Sequence, residues 1–170
     1  MFRFLVAAPL LLLLSLVSVR AEVAPLETPS DAVMLTVSGA IGVTNSEVGA
    51  VFDLKMLQDI GVTSFATSTT WTKGVIQFEG VSLKALLDRL GVTSGTLKMY
   101  AVNDYAIEVP VSDAVDGGPI LAYKQDGDLM SVREKGPLWL VYPFDLDQGL
   151  YNEKYFSRSV WQIKEIEVGQ

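Results

Sequence analysis

Apolar and polar positions alternate along much of this chain, and short helical stretches interrupt the alternation. Val33–Gly39 reads as a strand that ends at a glycine, and residues 45–50 read as a loop. Phe52–Ile60 places Leu54, Leu57 and Ile60 at helical spacing and stops at Gly61, which predicts a short helix. Residues 63–70 and 75–79 are β-prone and predict strands on either side of Trp71 and Gly74. Ser82 is an N-cap candidate for a second helix whose Leu83, Leu86, Leu87 and Leu90 share one face, with Gly91 as its stop. Leu97–Val102 and Tyr105–Val109 predict paired strands, and Asn103-Asp104 between them suits a two-residue type I′ turn. Ser112 is a cap candidate for a short helical turn before Gly117-Gly118-Pro119. Ile120–Tyr123 and Leu129–Ser131 predict a second hairpin around Asp126-Gly127. Leu138–Tyr142 is continuously apolar, as a buried central strand would be, and Pro143 stops it. Residues 144–156 mix aromatic and acidic side chains and read as a long loop. Val160–Val168 alternates again and predicts the strand that closes the sheet. Strands dominate and short helices are interspersed, so the predicted class is α+β.

The first residues follow a different pattern. Arg3 precedes an apolar run from Leu5 to Val19 that contains leucine at every position from 10 to 14. Val19-Arg20-Ala21 offers small residues three before and one before a cleavage point. This predicts a secretory signal peptide over residues 1–21, too short to be a stable membrane span. Residues 22–32, with Pro25 and Pro29, form an irregular lead-in, and residues 33–168 form one domain. Cleavage after Ala21 leaves 149 residues, enough for a proper core. The expected location is the periplasm, with no direct membrane insertion after cleavage.

Composition narrows the chemistry. The chain has no cysteine and no histidine. That removes a thiol nucleophile, a Ser-His-Asp triad, an imidazole base and the usual zinc or haem ligands. Without Arg3 and Arg20, 11 basic residues face 20 acidic ones, a net charge of −9. Such a domain is a poor partner for nucleic acid or for an anionic membrane surface. Asp145-Leu-Asp147-Gln-Gly149 has faint calcium-loop spacing but lacks a third ligand and the terminal acid, so it reads as an acidic loop tip.

Several segments, in order, carry a family resemblance. They are Phe78–Leu87 (FEGVSLKALL), Asn103-Asp-Tyr105 with Ile107–Pro110, Ile120–Tyr123 with Asp126-Gly127, Gly136-Pro-Leu138 through Tyr142-Pro143, and Arg158-Ser-Val-Trp161 before Ile166–Val168. Over about residues 33–168 the chain resembles the molybdopterin-binding domain of the sulfite oxidase family. The resemblance implies a single-domain, mixed-sheet α+β fold with a pterin slot between loops at one sheet edge. Catalytic members carry a molybdenum-ligating cysteine near the position of Phe65–Ser68. This chain has Phe65-Ala-Thr-Ser68 there, and serine is a harder and far less acidic ligand than a thiolate. The longer Arg-Ser-Val-Lys-Trp run of larger members is shortened here to Arg158-Ser-Val-Trp161, without the lysine. The chain also carries neither the dimerisation domain nor the haem domain of larger members. It looks more like the small, cysteine-free exported branch, which is similar to periplasmic pterin-binding proteins that work with membrane signalling receptors.

A pterin is a flat ring with a donor-rich edge, and a carboxylate can accept from that edge. Asp104, beside Asn103 and Tyr105, could serve this role, or the three could simply form a turn. Trp71, Tyr105, Tyr142 and Tyr155 are stacking candidates or sheet core, whereas Trp139 and Trp161 are the better core candidates. Arg158, between Ser157 and Ser159, suits a carbonyl or small anion, or is an exposed charge. Arg133 and Lys135 read as a solvated hairpin rim. The favoured reading is a non-catalytic periplasmic pterin-binding protein. It would hold no molybdenum and would pass its bound state to the periplasmic domain of a membrane receptor. The alternatives are a molybdopterin-dependent oxidoreductase, or subunit of one, and a structural exported domain with a vestigial slot.

Overall fold

The computed structural model describes residues 24–170. The predicted leader lies outside the described residues. Among the described residues no helix is long and apolar enough to cross a membrane.

The first sheet has five strands: β1 (Leu35–Gly39), β2 (Ala50–Phe52), β5 (Thr96–Ala101), β6 (Ala106–Pro110) and β10 (Ile163–Gly169). Their order is β2-β1-β10-β5-β6, with β1 and β10 parallel and the other pairs antiparallel. The last strand therefore occupies the middle of its sheet, where the alternation of Ile163, Ile166 and Val168 buries one face. The second sheet holds β3 (Val62–Ser68), β4 (Val75–Ser82), β7 (Ile120–Gln125) and β8 (Asp128–Leu129) in that order, and β9 (Trp139–Val141) pairs with β7.

The main core lies between the sheets and under α1 (Leu54–Ile60) and α2 (Leu83–Arg89). The second sheet is covered on both faces. Leu121, Tyr123, Leu138 and Leu140 point to the main core, while Ile120, Ala122, Trp139 and Val141 join a second apolar cluster. This is why β7 and β9 read as unbroken apolar runs. A glycine is required inside β4: at the register shift opposite β7, a Cβ on Gly80 would lie 2.2 Å from the Leu121 carbonyl oxygen.

Ser82 caps α2 as expected, its hydroxyl accepting from the Ala85 N–H at 3.4 Å. The start of α1 differs from expectation. Residues 50–52 pair with β1 as β2, and the helix begins at Leu54 behind the N-cap Asp53. Asp53 is buried, yet its carboxylate accepts from the N–H groups of Met56 (2.8 Å), Ser30 (2.8 Å) and Asp31 (3.1 Å). These bonds, the Met56 bond foremost, hold its carboxyl below the usual carboxylate range and tie the lead-in to the helix.

The turn after β7 is the two-residue type expected, with Asp126 and Gly127 both at positive φ. The β5–β6 turn is not. Only Asp104 has positive φ (63°), and Ala101 N–H donates to Tyr105 O at 2.8 Å, so the loop has three residues, 102–104. The expected loop at 144–156 instead contains a 3-10 turn at Gln148–Leu150 and most of a third helix, α3 (Glu153–Arg158), capped by Asn152.

Candidate functional site

The site forms where the two sheets are joined. Leu140 N–H donates to Val160 O and Ile163 N–H to Leu138 O, both at 2.9 Å, so residues 160–163 run along β9 before entering the first sheet as β10. Gln162 makes that passage at φ 58°, unusual for a residue other than glycine. Three bonds fix it. Its N–H donates to Lys135 O at 3.0 Å, its Nε2 donates to Val132 O at 2.6 Å, and its carbonyl accepts from Val102 N–H at 2.9 Å.

The second cluster is built on Trp139, which is fully buried and donates through Nε1 to Ser159 O at 3.1 Å. Phe78, Trp71 and Trp161 stand edge-on to it, with centroids 5.3, 6.1 and 6.2 Å away. Trp71 meets Trp161 at 5.7 Å and Phe156 at 6.1 Å in the same manner. Edge-to-face contacts of this kind lock ring orientations. The Lys135 ammonium covers the cluster, 5.3 Å from the Trp161 ring centroid and 5.5 Å from that of Trp139.

A cavity of about 330 Å³ opens against this wall. Trp71, Phe156 and Trp161 line it from the aromatic cluster, and Asn103 and Tyr105 from the β5–β6 hairpin. Ser157, Ser159, Val160, Gln162 and Ala101 complete it. Among the described residues no charged one lines it. Its size and its apolar walls with a few polar groups are typical of a small-molecule site. A larger cavity, about 540 Å³, lies beside the lead-in near Leu26, Met56 and Arg89 and contains none of the sequence-predicted site residues.

The structure thus gathers Trp71, Asn103, Tyr105, Ser157 and Ser159 around one cavity. Asp104 stands outside it. The positive φ at the third loop position turns its side chain to solvent, 85% exposed, where Lys164 Nζ binds it at 2.8 Å and holds its carboxyl below the usual range.

Tyr142, Tyr155 and Arg158 belong to a separate network on Asp113, a residue nothing in the sequence singled out. Arg158 Nη1 donates to both Asp113 oxygens, at 3.0 and 2.8 Å, and the Tyr142 hydroxyl donates to Oδ2 at 2.7 Å. Burial first, then the Asp113 bond, pushes the Tyr142 phenol well above its ordinary range. Tyr155 packs on Tyr142, with centroids 5.2 Å apart, beside the Arg158 guanidinium.

Phe156, Trp161 and Gln162 complete the cavity without having been expected there. Trp161 reads as core from its strand, and Gln162 carries no sequence signal, because its role follows from a backbone conformation.

The end of β3 is closed by a carboxylate from the loop after β9. Asp145 accepts from the Ser68 N–H and from the Ser68 hydroxyl, each at 2.6 Å, and its own N–H donates to Thr67 Oγ1 at 3.0 Å. Thr67 is fully buried. Among the described residues no three His, Cys, Asp or Glu side chains cluster as a metal site would.

No curated protein matches the chain in sequence. The solved structure of the sulfane dehydrogenase SoxCD from Paracoccus pantotrophus is similar in fold. The TM-score is 0.56 at 18% identity, over 79% of this chain and 37% of that one. The chain therefore spans little more than a third of that relative. The family model described as the oxidoreductase molybdopterin binding domain matches residues 33–169. That match covers every strand and helix described above, and the chain belongs to the oxidoreductase molybdopterin binding domain family.

Proposed function

We propose that this chain is an exported pterin-binding protein. It holds the ring in the cavity between Trp71, Tyr105 and Trp161, performs no catalysis of its own, and passes its bound state to the periplasmic domain of a membrane receptor. The uncharged, aromatic and amide lining of the cavity carries this reading. A neutral heteroaromatic ring suits such walls, which offer faces for stacking and dipoles for its edge. The leader pattern of residues 1–21 supports export.

The family's cofactor fits this lining only at its ring. Molybdopterin brings two thiolates for molybdenum and a phosphate tail. The lining residues include neither lysine nor arginine, and three cations of the surrounding segments are engaged: Arg158 by Asp113, Lys164 by Asp104, Lys135 over two indoles. The sequence has no cysteine to complete a molybdenum site. A second reading, a molybdopterin-dependent oxidoreductase subunit, is favoured by the family match across residues 33–169.

Titration calorimetry of the mature protein with biopterin tests the proposal. One ring per chain is expected to bind. Tyr105 is exposed, so Tyr105→Ala leaves the fold intact and removes one aromatic contact of about 1 kcal/mol, weakening binding roughly fivefold. Asp116→Asn, at a residue 97% exposed whose nearest cation, Lys84, is 3.9 Å away, serves as the control. No binding by the parent, or equal binding by Tyr105→Ala, would overturn the assignment.

A further inference from the structure

Edge strands are normally kept short, charged, or broken by proline or a bulge, because their free backbone groups pair readily with another chain. Among the described strands, β2 has three residues, β8 has two, and β6 carries Glu108 and ends at Pro110. β3 has none of these protections. It stands at the end of its sheet, is seven residues long, and pairs with β4 in an unbroken register from Val62 opposite Val81 to Ser68 opposite Val75. Its sequence, VTSFATS, holds no charge, no proline and no glycine. Two observations show which backbone groups face outward. In an antiparallel strand the N–H and C=O of one residue point to the same side, and successive residues point to opposite sides. Ser68 N–H leaves the sheet for Asp145 Oδ2 at 2.6 Å. Gln77, opposite Ala66, donates its N–H to Asp126 Oδ1 at 2.9 Å and accepts the Asp126 N–H on its carbonyl at 2.8 Å, so it turns away from β3. Both place the N–H and C=O of Val62, Ser64 and Ala66 on the outer side, and these three residues are exposed. Asp145 takes the next position, Ser68, which limits the open ladder to those three.

We infer that this edge pairs antiparallel with the same edge of a second copy of the chain, about a two-fold axis at Ser64. Outward residues placed evenly on either side of a central one match themselves under a two-fold. Ser64 meets the partner's Ser64, Val62 meets the partner's Ala66, and Ala66 meets the partner's Val62. Such pairs exchange about six backbone hydrogen bonds in all. Between them Thr63 meets the partner's Phe65 on the face of the second apolar cluster, a β-branched and aromatic contact of the kind that stabilises sheets. Charge points to the same occupant. Acidic residues outnumber basic ones, so two copies repel wherever their carboxylates meet, and β3 brings no carboxylate to the strand pair. A partner recruited by opposite charge would find no counter-charge on this strand. The inference goes beyond the pterin reading and does not depend on it.

Sedimentation equilibrium of the mature protein at concentrations up to roughly 1 mM tests this. The parent is expected to show a reversible monomer–dimer equilibrium. Ser64→Lys and Ser64→Glu each set like charges against one another at the axis and should weaken dimerisation about tenfold. An equal mixture of the two sets lysine against glutamate and should restore association as a heterodimer. Ala66→Pro removes an outward N–H that β4 does not use, so it should weaken dimerisation while leaving the β3–β4 pairing in place. Thermal melts check that each variant is folded, and Ala66→Pro decides the matter if the Ser64 variants are not. A parent that stays monomeric throughout, or a dimer that Ser64→Lys and Ala66→Pro leave intact, would overturn the edge assignment. Loss of the dimer in both Ser64 variants without recovery in their mixture would overturn the two-fold at Ser64.

Discussion

Trp139→Ala is expected to lower stability by about 3–5 kcal/mol, the range for deleting a large aromatic from a packed core. In a domain of this length that corresponds to a melting temperature lower by roughly 10–15 °C. Trp139 is the ring on which the second cluster is built. Its loss leaves the Phe78, Trp71 and Trp161 edges facing a void and the Ser159 carbonyl without its indole donor. Ser159 and Trp161 also line the cavity, so ligand affinity should fall with stability even in the fraction that remains folded. Trp139→Phe refills part of the space but cannot donate to Ser159 and should cost about half as much. Urea melts followed by circular dichroism check both. A Trp139→Ala protein within 1 kcal/mol of the parent would mean that the cluster does not support this face of the sheet.

The second large effect is expected at Arg158. Its guanidinium is the cationic partner of Asp113, and the two side chains are 18% and 8% exposed. Arg158→Met keeps the aliphatic stem but strands a buried carboxylate, and breaking such a pair from one side costs about 3–5 kcal/mol. Adding Asp113→Asn removes the stranded charge and keeps an acceptor for the Tyr142 hydroxyl, so the double variant should recover most of the loss. The pair also anchors α3, which carries Phe156 and Ser157 to the cavity. A double-mutant cycle on urea melts reads the coupling. Additive costs for the two substitutions would contradict the network described here.

The elements that sequence periodicity identifies are those whose signal is local. The α2 helix declares itself through Ser82, four leucines on one face and Gly91, and the Asp126-Gly127 turn through its two residues. The α3 helix is not legible in the same way. It is six residues long, its cap Asn152 follows an acidic aromatic stretch, and its aromatic side chains pack on Tyr142, Phe144 and Trp71, which lie outside the helix. The site divides along the same line. Trp71, Asn103 and Tyr105 stand out as aromatic and amide residues in turn-rich segments, and they meet at one cavity. Asp104 has the same local signal, yet one backbone angle in the three-residue loop turns it toward Lys164. Arg158 reads as a free cation because its partner Asp113 lies 45 positions earlier in the chain. Trp71, Trp139 and Trp161 form one cluster only once β9 has paired with β7 and residues 160–163 run along β9, so no window of sequence could have grouped them.

We propose that this member of the family binds a pterin and does not work as a molybdenum enzyme. The most direct measurement is the metal and pterin content of protein purified from the periplasm, by elemental analysis and by fluorescence after denaturation. Blue pterin fluorescence released in proportion to protein is expected, with molybdenum far below one atom per chain. Molybdenum near one atom per chain, together with metal-dependent turnover, would contradict it.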